Sequence, residues 1–423
     1  MLFLLPLMIN SLNFTVNHYN YNVIENTKNV VLIKGICSTN EDDLIIPSEV
    51  SYDSVTYTVT VIGESSFYMC NGYTGSLKLP DKLEIIENFA FQYCYGFTGD
   101  LKLPNTLEYI GNYSFFNCRA FSGHLEIPEK VIFIGNDAFS GCGGFTSLSF
   151  PDNLKVIGDS AFAGCFNIEG EIKLPISLES LGFLAFAGCL KINGNLYLPD
   201  KLNNIKYGAF AWCTALNGEL NLSCSLNEIE SFAFYSDKLL TSINIPEKVD
   251  KIGEYSFATC TGVKSLTFCG EASPEIEENA FNGLSLTSIS VTSKYNGTKF
   301  IDLPVNIVSD DHCVSCNAED DDFDKLTYKS SLETIPLLIN SQTSSNDDFI
   351  NQETFISIDN SDASINDKEL DDVNDGKKKL KPGEIAGITI AAIIGVVVII
   401  IVIVIILFKK KKNHQSSSEE IVF

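Results

Sequence analysis

The sequence predicts an α/β-type repeat solenoid, mainly short strands with short helical or 3₁₀ turns, followed by a disordered stalk and one transmembrane helix. Three observations predict it. A phenylalanine returns ten times at intervals of 23 or 24 residues. An apolar–polar alternation ending in proline precedes most of those phenylalanines. Far downstream, 24 consecutive residues carry no charge.

Residues 1–13 open with "MLFLLPLMI", apolar enough for the core of a signal peptide, with Ser11 as a small residue near a cleavage point and no basic segment ahead of it. Residues 14–61 are read as an N-terminal cap and first coil that shield the end of the array. Residues 62–308 are the repeats. Their phenylalanines are Phe67, Phe91, Phe115, Phe139, Phe162, Phe186, Phe210, Phe234, Phe257 and Phe281. Ala or Ser precedes each one, and Ile (once Leu) stands five residues before it. Proline usually stands eleven residues before it, giving x-L-x-L-P-x-x-L-x-x-I-G-x-x-A-F-x-x-C.

Each part of the unit has a physical reason. Segments such as "LKLP" and "LEIP" alternate apolar and polar, the period of a half-buried strand. Proline then ends the strand because it cannot donate to a ladder. The second apolar pair, "LEII" at Leu83–Ile86, turns inward again. The spacing of three in A-F-x-x-C puts Phe and Cys on one side of a short helical or 3₁₀ turn. One unit cannot bury its own Leu, Ile and Phe, but stacked units can, which makes a solenoid with a continuous core. Each buried Phe contributes about 1.5–3 kcal/mol.

The cysteines share one rung position: Cys70, Cys94, Cys118, Cys142, Cys165, Cys189, Cys213 and Cys260, with Asp237 and Leu284 in the same place elsewhere. A leucine replaces a packed thiol but not a nucleophile or a metal ligand, so the column is read as buried thiols. Disulfides between adjacent rungs are the alternative, since coils stack at about 5 Å and bridged Cα atoms lie about 4.4–6.8 Å apart. A linear column cannot converge four ligands on zinc.

This pattern resembles the BspA-like leucine-rich repeats found in surface proteins of mucosal bacteria and trichomonads. The segment "VSYDSVTYTVTVIGESSFYMC" resembles the Tyr- and Val-rich hairpin of that class's first coil. The likeness covers about residues 20–300. It implies a leucine-rich repeat fold and binding of host cells, extracellular matrix or other microbes. Ser223 departs from the proline, Glu87, Lys206, Glu230 and Glu277 depart from the glycine, and "FTG" adds a residue before several strands. Because Glu and Lys are accepted, the glycine position is not read as needing a positive φ.

Beyond the repeats, "HCVSC" at His312–Cys316 is read as a small capping-loop disulfide or loose thiols rather than half a metal site. Residues 309–384 are an acidic stalk: between Ser309 and Gly376, eighteen Asp or Glu face three Lys. Its "AEDDDFD" run lacks the spacing of a calcium loop. Ile385–Phe408 forms the membrane span, about 36 Å long as a helix against about 30 Å of hydrocarbon. "KKKK" follows it, so residues 409–423 are a cytoplasmic tail if the signal peptide sets the N-terminus outside. Ser416 and Ser417 each have Glu three residues on and are phosphorylation candidates. Sequons stand at Asn13, Asn112, Asn221 and Asn296.

A net charge of −25 argues against a nucleic-acid partner. No Walker loop, G-x-G-x-x-G or H-E-x-x-H motif occurs, so no cofactor and no enzymatic activity are expected. His124 and Glu126 lie two apart on one strand, but no nucleophile faces them. A solenoid exposes one extended strand face, and its outward residues are the candidate ligand contacts: Lys78, Lys102, His124, Glu126, Lys173, Tyr197 and Asn221. The reading is a single-pass plasma-membrane protein whose repeats face outside and bind a protein or glycan ligand in adhesion. The alternative is a receptor whose tail signals or directs internalisation.

Overall fold

The computed structural model describes residues 12–37, 42–309 and Cys313. Residues 1–11 of the expected signal peptide, nearly all of the expected stalk, the expected membrane span and the tail with Ser416 and Ser417 lie outside the described residues, while Asn13 of the expected signal peptide is part of the first strand. The chain opens with two tight hairpins. Strand Asn13–Val16 pairs antiparallel with Tyr19–Val23, and Glu49–Tyr52 pairs with Val55–Ile62. Their two-residue loops, Asn17–His18 and Asp53–Ser54, have positive φ at both positions, as a type I′ turn requires. The second of them is the Tyr- and Val-rich hairpin anticipated from sequence.

From Val55–Ile62 onward each coil adds a rung to parallel ladders. One ladder takes the I-G pair: Ile85–Ile86, Tyr109–Ile110, Phe133–Ile134, Val156–Ile157 and Ser180–Leu181, in register. It resumes through Asn204–Ile205, Glu228–Ile229, Lys251–Ile252 and Glu275–Ile276. The other takes the L-x-L-P segment, through Gly99–Asp100, Phe121–Glu126 and Phe145–Ser149, then from Leu196–Tyr197 to Leu303–Ile307. Between the two parts of this ladder, residues 171–174 form no strand, and the coil keeps a single bridge just before them, Gly170 to Ile192.

The third side of each coil corrects the expected helical or 3₁₀ turn, for no helix occurs among the described residues. Around each Phe the backbone is a string of turns with left-handed residues two positions before and two after. Phe89 and Tyr93 (φ 59° and 61°), Tyr113 and Asn117 (55° and 60°) and Leu184 and Gly188 (55° and 72°) show the pattern. A right-handed helix cannot contain such residues. Instead, the backbone N–H of each Phe from Phe67 to Phe257 donates to the next coil, as Phe91 does to the Ser114 carbonyl at 2.7 Å and Phe186 to Ala209 at 2.8 Å. The flanking left-handed residues do the same, so Tyr113 donates to Asn136 and Asn117 to Ser140. The turn string is thus a hydrogen-bonded ladder in its own right. Phe and Cys still share the inner side, as their spacing predicts.

Stacked phenylalanines form the spine of the core. From Phe67 to Phe281 successive ring centroids are 5.1–5.6 Å apart, with planes within 10°. A second file starts with Tyr73, Phe97, Phe121 and Phe145 and continues in buried Ile168, Ile192, Leu216, Leu240 and Val263. Tyr19 packs edge-on against Phe67 at one end of the spine, and Phe300 covers Phe268 and Phe281 at the other.

Glycine before the turn string is a matter of room. A Cβ on Gly158 would lie 2.6 Å from the Asn136 backbone, and one on Gly182 2.4 Å from Asp159, with no positive φ at either. The 24-residue coils up to Phe234 differ from the 23-residue coils by one glycine at the start of the strand, whereas the 24-residue coil from Phe257 to Phe281 carries its extra residue after the strand. Gly123 and Gly218 (φ 74° and 121°) sit where the ladder register shifts, a glycine bulge.

Seven cysteines are free and buried: Cys94, Cys118, Cys142, Cys165, Cys189, Cys213 and Cys260. Each thiol donates to the carbonyl of the preceding coil's Phe, for example Cys142 to Phe115 at 3.0 Å. Cys70 departs from the thiol reading, because it is bridged to Cys37 in the cap. As the first rung it has no earlier Phe coil beneath it. "HCVSC" is corrected too: Cys313 is bonded to Cys269, 44 residues back, so the link fastens the chain to the last coils rather than closing a small loop. Cys224 is also disulfide-bonded.

Asp237 occupies a thiol position with no exposed surface, and neither carboxyl oxygen has a hydrogen-bond partner. Burial raises its pKa well above the ordinary value. Half-buried Asp137 is raised to about 6, chiefly by burial. The folded chain keeps these protons while the unfolded chain releases them near pH 4. Stability therefore falls as pH rises above about 4. Asp237→Cys, which restores a thiol able to reach the Phe210 carbonyl, is expected to stabilise the chain by about 1–3 kcal/mol at pH 7.5. The gain should shrink toward pH 4, read as thermal unfolding midpoints of both proteins across pH 4–8.

Candidate binding surface

The strand face is positioned by proline and leucine. Leucine or isoleucine at alternate positions points into the core, and the residues between point out. Lys78 is exposed on Leu77–Lys78, which pairs with the cap strand Leu44–Ile45. Lys102 is exposed just after strand Gly99–Asp100. His124 and Glu126 are exposed on Phe121–Glu126. Lys173 is exposed in the segment where strand pairing lapses. Tyr197, at 54% exposure, is a large aromatic on this face.

Asn221 lies beside Tyr197 across the ladder and is half-buried, with Asn244 next in register and then Thr267. The seven residues are therefore on one face but in two groups. Lys102, His124 and Glu126 belong to the N-terminal sheet, and Tyr197 and Asn221 to the C-terminal one. Lys78 pairs only with the cap, and Lys173 stands between the sheets. The charges expected along the whole face fade toward the C-terminal end, where Asn, Ser and Thr take over.

His124 is fixed rather than poised. Its Nδ1 lies 2.8 Å from the Ser147 hydroxyl and its Nε2 2.9 Å from that of Ser149, so both ring nitrogens are engaged by the neighbouring strand. Glu126 is not its partner. The thiols are equally unsuited to chemistry, since burial pushes Cys142 and Cys189 up to about 12. A thiol is a nucleophile or ligand only as thiolate. Among the described residues no group of three or more His, Cys, Asp or Glu gathers to hold a metal.

Of the sequons, Asn296 is exposed, while Asn112 and Asn221 are half-buried. The Asn112 side chain is already engaged in the fold, since its Oδ1 accepts the Asn136 backbone N–H at 2.8 Å. It belongs to a ladder in which Asn88, Asn112, Asn136 and Asp159 each satisfy the following coil. Where Glu replaces the glycine, the direction reverses. Glu87, Glu230 and Glu277 accept from Glu64, Tyr207 and Glu254 of the preceding coil.

Sequence reading missed a second polar–aromatic surface on the turn strings near the N-terminal end. Tyr68 meets Tyr93 at 6.1 Å, Tyr93 meets Tyr95 and Phe116 at 5.9 and 5.3 Å, and Arg119 lies over the Tyr95 ring at 5.1 Å. The available signal was columnar. Tyr68 and Phe116 occupy a repeat position that in the middle coils holds Ser140, Ala163 and Ala187, and Tyr93 one that holds Gly141, Gly164 and Gly188, while Tyr95 shares its column with Arg119 and Gly143.

A family model described as "BspA type Leucine rich repeat region" matches residues 60–193 and 185–300, with six copies. No curated protein matches the sequence. Several solved structures are similar. A leucine-rich cell surface protein from Faecalibacterium prausnitzii is 19% identical over 73% of this chain and 98% of its own, with a TM-score of 0.42. A leucine-rich repeat protein from Bacteroides ovatus is 22% identical over 70% and 100%, with a TM-score of 0.28. The pneumococcal vaccine antigen PcpA is 17% identical over 69% and 89%, with a TM-score of 0.34.

Alkylation of the native full-length chain at pH 8, followed by peptide mapping, is expected to leave the seven described free cysteines unmodified. In guanidinium all seven should label. Rapid native labelling of Cys142 or Cys165 would contradict the buried column.

Proposed function

The chain belongs to the BspA-type leucine-rich repeat family, and from that premise we propose that it is a single-pass cell-surface protein acting by adhesion through its outward strand face. In this reading the repeats lie outside the cell, Ile385–Phe408 crosses the plasma membrane, and the ligand is an extracellular protein or glycan. The observation that carries the reading is the in-register outward row of Tyr197, Asn221 and Asn244 on a sheet whose other side is core. A rigid, polar, extended row with one protruding aromatic is suited to contact, not to catalysis. The engaged ring of His124 and the neutral buried thiols support binding as the mode of action.

Membrane placement is supported by the uncharged 24-residue segment followed by four lysines. The acidic residues 309–384 then act as the spacer that holds the repeats away from the bilayer.

Cells displaying the full chain are expected to adhere to host cells or matrix, and cells displaying a chain without residues 14–308 are not. A Tyr197→Ala, Lys173→Ala double variant should weaken adhesion on the order of tenfold, as loss of an exposed aromatic anchor does, with surface level unchanged. Equal adhesion with and without the repeats would remove the proposal.

A further inference from the structure

The aromatic terrace on the first turn strings has a charge property that the strand face lacks. Arg119 is the sole arginine among 423 residues of a chain with net charge −25. It is exposed, yet among the described residues no carboxylate pairs with it; the ion pairs there are all made by lysines. It is nevertheless held in place. The guanidinium lies over the Tyr95 ring at 5.1 Å, and Nε donates to Asn117 Oδ1 at 3.1 Å. Asn117 sits at a left-handed position (φ 60°) whose backbone N–H is bonded to the next coil, so the anchor of the arginine is itself fixed. Nε being taken, the two terminal nitrogens remain as a planar fork, the geometry that receives a carboxylate through two parallel bonds.

The surroundings of that fork are tyrosine rings and amides. Tyr68 is 44% exposed and Tyr95 39% exposed, and Asn71 Oδ1 accepts the Tyr95 backbone N–H at 2.9 Å. None of the outward residues one, two or four positions after Phe67, Phe91 and Phe115 is acidic. A site whose own columns hold no acid, the nearby Asp137 being bonded to Tyr113, presents one oriented cation on a strongly acidic chain and so selects a ligand with one negative charge. Polyanions are excluded by the surrounding field. Tyr68 and Tyr95 are exposed and Tyr93 is half-buried, so ring surface is open to the flat apolar side of a sugar. The large apolar anchor of a protein hot spot needs a pocket instead.

We propose that this terrace, Tyr68, Tyr93, Tyr95 and Arg119, binds a glycan that ends in a single carboxylated sugar, with the carboxylate on the Arg119 fork and the ring against tyrosine. The site is on a different side of the coil from the strand face. It rests on the surface-protein reading only for the source of the ligand.

The test is calorimetric titration of the detergent-solubilised full chain with 3′-sialyllactose, with lactose as the neutral counterpart and a short acidic peptide as the competing class. Binding of sialyllactose and not lactose is expected. Arg119→Gln should weaken it about tenfold to a hundredfold. Arg119→Lys, which keeps the charge and loses the fork, should also weaken it by about tenfold or more. Tyr68→Ala should weaken it too, while Lys173→Ala on the strand face should leave it unchanged. The unfolding midpoint of Arg119→Gln should match the parent, because the side chain is exposed. Equal binding of lactose, unchanged binding by Arg119→Gln, or no binding of sialyllactose would overturn the proposal. So would Arg119-dependent binding of the peptide alone. None of these outcomes bears on adhesion through Tyr197 and Lys173, so the two surfaces stand or fall separately.

Discussion

Each coil is joined to the next through its phenylalanine. The ring stacks on its neighbour, and the backbone N–H at the same residue donates to the adjacent coil at 2.7–2.9 Å. Packing and hydrogen bonding at one residue fix the same spacing, and the rest of the coil accommodates it. Close ring stacking keeps the residue before Phe small, because coil-to-coil carbonyls pass there. It also keeps the inner side of the turn string at one height in every coil, so a thiol three residues later always reaches the carbonyl of the preceding Phe. Cysteine suits that place by being small and apolar with a weak donor to offer. Asp237 is too polar for it, and burial raises its pKa well above the ordinary value.

The stack was legible in the sequence because burial leaves a period. Phe, Ile and the L-x-L-P alternation recur at fixed offsets, and each offset became a buried column. The hairpin cap was legible for the same reason. The backbone conformation of the turn string was not. A positive φ is normally advertised by glycine or asparagine, and here Phe89, Tyr93, Leu184 and Trp212 stand at such positions. Only comparison of columns, in which Gly141, Gly164 and Gly188 align with Tyr93 and Trp212, carries the signal. The A-F-x-x-C spacing suggested a helix because a helix and this turn string bring residues three apart to the same side.

The candidate surface was legible in outline. Alternation on the strand identified which side chains face out, and Lys78, Lys102, His124, Glu126, Lys173 and Tyr197 do so. What alternation cannot give is the partner across the ladder. His124 is tied to Ser147 and Ser149, one coil on, and that depends on the register set by Gly123. Arg119 was overlooked for a related reason. Its meaning lies in Tyr95 one coil before and in the lack of an acid in the columns around it, and neither is a property of its own repeat. The bond partners of Glu87, Glu230 and Glu277, read from sequence only as departures from glycine, are likewise found one coil away.

The position of the glycine bulge separates what the fold constrains from what it leaves free. Between Phe139 and Phe162, and between Phe234 and Phe257, the repeat is one residue shorter, and the missing residue is the glycine that begins the strand in the longer coils. The phenylalanine column is unbroken across both short coils, at 5.5 and 5.3 Å. In these two coils the length change falls on the strand side, while the coil from Phe257 to Phe281 regains its twenty-fourth residue after its strand. The residues that follow the bulge, His124 and Glu219 among them, are those whose neighbours shift when a residue is gained or lost. A surface that tolerates insertion without disturbing the spine can change its contacts at little cost in stability. That physical asymmetry leaves the strand face the freer of the two to change its contacts in the proposed role, while the turn strings, tied coil to coil at most of their left-handed residues, suit a site whose geometry must not drift.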